Sequence, residues 1–254
     1  MPVKLQKKIL KNEHFNFNAI LFMPENPRDK IALFTHGYTA SKSDCLNWAQ
    51  RLSEADVTTV IFDLPGHHLG SFNEVESFEV FTENAHKCFL TAFEWLQTEV
   101  PNPKHLTLGG HSLGALLSVL ALEIEEFSEL EKLAIGVGLG IGQHKSTHLF
   151  ETTFYERTLN IRRQLVDPNL DSDLMFPWIK QKKLDLDLTQ KRIHLITGVD
   201  DVVVGEGGME ALAFHLRSLG NDVTTSEPRK LPHHEPSGAA THIYNFLKKE
   251  ITLS

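Results

Sequence analysis

Leu106-Thr107-Leu108-Gly109-Gly110-His111-Ser112-Leu113-Gly114-Ala115-Leu116-Leu117 is the stretch on which the reading of this chain turns. Leu106 to Leu108 has strand character, and Ala115 to Ile124 is an apolar run of helical length. The pentapeptide Gly110-His111-Ser112-Leu113-Gly114 sets a serine between two glycines at the junction. Small flanking residues tolerate the crowded backbone of a tight strand-to-helix turn, which pushes the hydroxyl up where a base can reach it. The helix start behind it supplies free N–H groups and a positive dipole end for developing negative charge. Those are the needs of a serine nucleophile.

Outward from this point, strands and helices alternate. Val3 to Leu10 and His14 to Met23 read as a strand pair turning near Asn12 and Glu13. Ile31 to Phe34 and the β-branched run Val57 to Phe62 are further strands, with a helix from about Asp44 to Ala55 between them. Ser41, Lys42 and Ser43 start that helix, with a serine as its cap. From Val80 to Glu99, the positions Phe81, Ala85, Cys88, Phe89, Ala92, Phe93 and Leu96 predict one long amphipathic helix. Strand signals return at Leu133 to Val137, Ile193 to Ile196 and Asp222 to Ser226, and helix signals at Met209 to Leu219 and Ala239 to Lys249. The expected fold class is α/β, a mostly parallel twisted sheet with helices on both faces.

Between Gly142 and Gln190 the alternation is lost, with Pro168 and Pro177 as breaks. About 50 residues is too long for a simple connection, so this stretch is read as a lid. The expected organisation is a core in two parts, 1–141 and 191–254, around a lid insertion at 142–190.

Composition narrows the function. A chain of 254 residues with 41% apolar and 23% charged residues suits one α/β domain. A net charge of −8 argues against a nucleic-acid partner. Cys45 and Cys88 form no C-x-x-C pair, so neither a disulfide framework nor a thiolate zinc site is expected. No secretory signal and no membrane span is legible, and the expected location is cytoplasmic. The fourteen histidines raise a metal reading, but the pairs His67-His68 and His233-His234 are adjacent and diverge in extended chain. No H-E-x-x-H or Cys/His ligand spacing occurs, so no metal and no cofactor is expected.

Four more features fall at strand ends. His36-Gly37-Tyr38-Thr39 follows the strand at Ile31, and Asp63-Leu64-Pro65-Gly66-His67 follows the one at Val57. Gly198-Val199-Asp200-Asp201 follows the strand at Ile193, and Leu231-Pro232-His233-His234-Glu235-Pro236 precedes the last helix. The order is serine, acid, histidine. Together with G-H-S-L-G these segments resemble the α/β-hydrolase family over nearly the whole chain. The resemblance implies the sheet order, a lid after the strand at Leu133, and, with serine as nucleophile, an esterase-, lipase-, thioesterase- or acyltransferase-like chemistry. Two departures stand out. His68 occupies a position usually held by glycine, and Pro232 and His233 precede His234 where a small or acidic residue usually precedes the catalytic histidine.

Ser112 is the expected nucleophile. The acid follows the strand at Ile193, since Gly136 to Gln143 contains no carboxylate; Asp201, three after Gly198, is preferred over Asp200. His234 is slightly preferred over His233 as base, because it lies nearer the helix start and the Glu235-Pro236 turn can fix its direction. Backbone N–H groups of Tyr38 and Leu113 are expected to form the oxyanion hole. His36 and His111 are read as structural. Phe150, Phe154, Tyr155, Phe176 and Trp178 line an acyl pocket or simply pack the lid. Arg157, Arg162 and Arg163 read first as a solvated helix face, with contact to an anionic substrate as the alternative. The expected activity is hydrolysis of a small or medium carboxylic ester through an acyl-enzyme. The alternatives are a thioesterase, an acyltransferase using the same serine, or a binding module without catalysis. Oligomeric state is left open.

Overall fold

The computed structural model describes residues 3–100, 102–142 and 153–251. Its strands are Val3–Lys11 (β1), Asn16–Pro24 (β2), Lys30–Thr35 (β3), Thr58–Phe62 (β4), His105–His111 (β5), Glu131–Val137 (β6), Arg192–Ile196 (β7) and Asp222–Ser226 (β8). They form one sheet in the order β1-β2-β4-β3-β5-β6-β7-β8. The first two strands and the β2–β4 pair are antiparallel, and every other pairing is parallel.

The helices are Leu46–Ser53 (α1), Phe78–Asn84 (α2), Cys88–Glu99 (α3), Leu113–Leu120 (α4), Thr153–Arg162 (α5), Ser172–Leu184 (α6), Gly208–Ser218 (α7) and Ala240–Glu250 (α8). Alternation along β3 shows why both faces of the sheet need cover. Ile31 and Leu33 join a core with Phe89 and Leu96 of α3, Leu116 of α4 and Leu212 of α7. Ala32 and Phe34 point the other way, into a core with Trp48 and Leu52 of α1 and Ile243 and Leu247 of α8. With a side-chain period of two, a strand apolar at every position must be buried twice. Among the described residues no helix is long and apolar enough to cross a membrane.

Some local expectations change. The helix expected over Val80 to Glu99 is two helices joined by a 3₁₀ turn at Ala85–Lys87. It starts earlier, at Phe78, because the Ser77 side chain accepts the Val80 N–H. Ser41 precedes a 3₁₀ turn at Lys42–Cys45 but makes no side-chain cap, its hydroxyl lying on that of Ser43 instead. Pro177 does not break the chain. It sits inside α6, whose start is capped by the Asp171 carboxylate on the Asp173 N–H and whose Met175 is buried in the core. Proline removes one backbone hydrogen bond from a helix, and here the cap and the buried side chain keep the helix intact.

The helices between β6 and β7 are tied to the ends of β3 and β4. The Tyr38 hydroxyl donates to Leu170 O at 2.7 Å, and the His68 N–H donates to Leu165 O at 2.8 Å. The Asp167 N–H donates to Gly66 O, and its buried carboxylate accepts the Val75 N–H. His68, where the family pattern has glycine, thus supplies an N–H that anchors this segment, while its ring stacks on Phe72.

Candidate active site

Ser112 stands between β5 and α4 with φ 50° and ψ −107°, a conformation costing a non-glycine residue on the order of 1–3 kcal/mol. Two hydrogen bonds hold it there: the Ser112 N–H donates to Val137 O at 2.8 Å, and the Leu116 N–H donates to Ser112 O at 3.1 Å. The flanking glycines are required by close approach. A Cβ on Gly110 would lie 2.4 Å from the Gly114 carbonyl carbon, and one on Gly114 would lie 2.6 Å from His36 O. Helix α4 therefore packs directly on the backbone of β3 and β5, which is the physical reason for glycine on each side of the serine.

Leu113 opens α4, so its N–H belongs to the turn that has no intrahelical acceptor. Tyr38 lies in a turn closed by the Ala40 N–H on Gly37 O at 3.2 Å. The turn's third residue, Thr39, has φ 63°, in the left-handed region that a β-branched side chain rarely adopts. The loop before this turn is pinned from below. His36 donates through Nδ1 to Gly37 O at 2.8 Å and accepts the Leu64 N–H on Nε2 at 2.9 Å. Burial pushes its imidazole down to about 4, so it is neutral. The 3.8 Å approach of its Nε2 to Asp63 is therefore no ion pair, since the nitrogen concerned is already an acceptor.

The true partner of Asp63 is Lys42. This fully buried carboxylate accepts the Lys42 backbone N–H at 2.8 Å and its ammonium at 2.5 Å. Lys42 thus fastens the loop after Tyr38 to the end of β4. The sequence reading did not identify this pair, although an acid directly after a buried β-branched strand was the signal available.

The expected acid and the two candidate histidines lie on the loops after β7 and β8. Asp201 is 4% exposed; its Oδ1 accepts the N–H groups of Val203 at 3.0 Å and Val204 at 2.9 Å, and its Oδ2 lies 2.8 Å from His233 Nδ1. The His233 ring lies 4.6 Å from that of His111, the residue before Ser112. His234 lies elsewhere. Its side chain is 72% exposed and its Nε2 is 3.8 Å from the equally exposed Glu235. The preference for His234 is therefore corrected: the histidine on Asp201 is His233. Proximity to the helix start misled, because the loop is set by anchors upstream of it. The Leu231 N–H donates to Asp200 Oδ1 at 2.8 Å, and the Trp48 indole donates to Pro236 O at 2.9 Å. Asp200 is thus an anchor of the histidine loop, rather than the simple solvated carboxylate that its exposure suggests.

His111 is buried, and among the described residues neither of its ring nitrogens makes a hydrogen bond of good geometry, although the His233 backbone lies close to the ring. Burial, then the neighbouring His233, holds its imidazole well below the ordinary range. Of the expected pocket residues, Phe176 meets the Tyr38 ring at 5.4 Å and Trp178 packs against the main core. Phe154 and Tyr155 fall within α5, and Phe150 lies outside the described residues. Arg157 is exposed, and Arg163 pairs with Asp171 and Asp173. Arg162 instead donates to the Thr39 hydroxyl at 3.2 Å.

Comparison with solved structures shows how widely this fold is shared. An esterase of Pyrococcus furiosus superposes with a TM-score of 0.72 at 16% identity, over 97% of this chain and 91% of that one. A lipase in its open form gives 0.69 at 13% identity, over 97% and 99%. An epoxide hydrolase from Vigna radiata gives 0.61 at 14% identity, over 97% and 98%. At such identities the likeness is one of fold, and it spans more than one chemistry. No curated protein matches the chain. Residues 32–222, which run from within β3 to the first residue of β8 and include the turn at Ser112 and Asp201, match the model described as the alpha/beta hydrolase family. The chain belongs to the α/β-hydrolase family.

Proposed function

We propose that this protein is a serine hydrolase that cleaves a carboxylic ester of small or medium size through an acyl-enzyme. The observation that carries the reading is the Asp201–His233 contact of 2.8 Å beside the strained turn at Ser112. An ionised carboxylate only accepts hydrogen bonds, so Asp201 selects the tautomer with the proton on His233 Nδ1. That leaves the Nε2 lone pair as the base. In the proposed sequence Nε2 takes the proton of Ser112 Oγ as the oxygen attacks the ester carbonyl, and Asp201 stabilises the resulting imidazolium. The N–H groups of Tyr38 and Leu113 receive the negative oxygen. As the tetrahedral adduct collapses, Nε2 returns its proton to the leaving alcohol. Water then gives a proton to Nε2 as it attacks the acyl carbon, and on collapse of this second adduct Nε2 passes that proton to Ser112 Oγ as the acid leaves.

His111, its ring 4.6 Å from that of His233, is held neutral by burial and so adds no positive charge beside this pair. The segment 142–190 is proposed as a lid, because its described part rests on Tyr38 and on the loop after β4.

Two measurements test the reading. A fluorophosphonate should label the wild type at Ser112 and leave Ser112→Ala unlabelled. On p-nitrophenyl esters from acetate to palmitate, Ser112→Ala should lose about a thousandfold or more in kcat, with its melting temperature preserved. Full activity in that variant would overturn the assignment.

A further inference from the structure

The two adjacent arginines at the end of α5 have different surroundings. Arg163 is neutralised, with Asp171 at 3.4 Å and Asp173 at 2.6 Å. Arg162 is half-buried, and its Nη1 donates to a neutral acceptor, Thr39 Oγ1, at 3.2 Å. Among the described side chains no carboxylate pairs with it. A guanidinium presents five N–H donors in a planar fork that fits a carboxylate with two parallel bonds. One hydroxyl uses one of those donors, and a half-buried charge without a counter-charge is costly to keep.

Its location matters as much as its lack of a partner. Thr39 directly follows Tyr38, whose N–H is the proposed oxyanion donor. The tight turn that aims Tyr38 is the one that holds Thr39 in its left-handed conformation. Such backbone strain tends to persist where a site needs a side chain held in place. The Thr39 hydroxyl thereby fixes one edge of the Arg162 fork beside the turn that carries Tyr38. In a chain of net charge −8, a cation with no counter-charge among the described side chains also offsets the repulsion an anionic substrate would meet.

We propose that Arg162 is a specificity-determining residue that binds a carboxylate of the substrate, so that the favoured substrate is an anionic ester, such as a monoester of a dicarboxylic acid. This rests on the serine-hydrolase reading above. Thr39 acts as the positioning residue that orients the guanidinium.

The test compares matched esters in the same protein. Mono-p-nitrophenyl adipate against p-nitrophenyl hexanoate puts the charge on the acyl side. The 4-carboxyphenyl and 4-carbamoylphenyl esters of hexanoic acid put it on the leaving group. In at least one pair, wild type should favour the anionic ester by about tenfold or more in kcat/KM, expressed mainly in KM. That preference should shrink as NaCl is raised. Arg162→Gln should abolish the ratio, and Arg162→Lys should retain part of it. Because each ratio is internal to one protein, a loss of folded enzyme cannot mimic the effect. Ratios near one in wild type, or ratios the same in wild type and Arg162→Gln, would overturn the proposal and leave the hydrolase reading standing. Absence of turnover on every ester, with no fluorophosphonate labelling, would overturn both.

Discussion

Two histidine–aspartate neighbourhoods sit at the same end of the sheet, and they do opposite work. His36 and Asp63 are both fully buried, yet each spends its hydrogen-bonding capacity elsewhere: His36 on Gly37 O and the Leu64 N–H, Asp63 on Lys42. His233 and Asp201 are joined directly at 2.8 Å, and the imidazole keeps some exposure, with its side chain 15% accessible. Burial alone does not make a catalytic histidine. What distinguishes His233 is one nitrogen claimed by a fixed carboxylate while the other remains available.

Substituting the proposed catalytic pair should have the largest effect. His233→Ala is expected to lose about a thousandfold or more in kcat on p-nitrophenyl esters, with little change in melting temperature. Activity within tenfold of wild type would mean that His233 is not the base and would dissolve the contrast.

The buried pair should respond in stability instead. Asp63→Asn leaves the largely buried Lys42 ammonium without its counter-charge, at a cost of about 2–3 kcal/mol, read by denaturant unfolding. If the variant unfolds like wild type, Asp63 is not what holds the loop after Tyr38.

Acid should sharpen the contrast further. Burial holds His36 at about 4, and burial followed by the neighbouring His36 holds His67 at about 3, against about 6.5 in the unfolded chain. Between those values the unfolded chain binds more protons, so stability falls as the pH drops below about 6.5. The loss stops growing only below the folded values. At pH 5 each of the two should cost on the order of 2 kcal/mol, seen as a melting temperature several degrees below that at pH 7. A melting temperature unchanged over that range would show that these imidazoles are not held neutral.

The smallest effect belongs to His234. Its alanine variant should stay within about twofold of wild type in kcat/KM and within about 0.5 kcal/mol in stability, as expected of an exposed side chain. A large loss there, with His233→Ala active, would return the base to the position that local reasoning preferred.

Much of this was legible before any coordinates. The β-branched and apolar strand runs announce a sheet buried on both faces, because period-two alternation is absent from them. The glycines around Ser112 announce close backbone approach, and the order of serine, acid and histidine places one group at each of three strand ends. Spacing from Gly198 favours Asp201 over Asp200, and Asp201 is the one that meets a histidine. His233 could not be chosen over His234, because two adjacent side chains in a loop differ only in where the loop is anchored. Those anchors, Asp200 on Leu231 and Trp48 on Pro236, come from remote parts of the chain. Pro177 was misread for a related reason: propensity is local, while the burial of Met175 that keeps its helix intact is not.

The sequence by itself determined the fold class and the family, since both rest on short local patterns that follow one another in a fixed order along the chain. Only the tertiary structure decided which histidine meets Asp201, which cation neutralises Asp63, and that Arg162 lies on Thr39 with no described carboxylate beside it. Those are contacts between residues 21 to 123 positions apart. Whether such groups meet is fixed by how the loops are tied at the strand ends, and no local pattern encodes that.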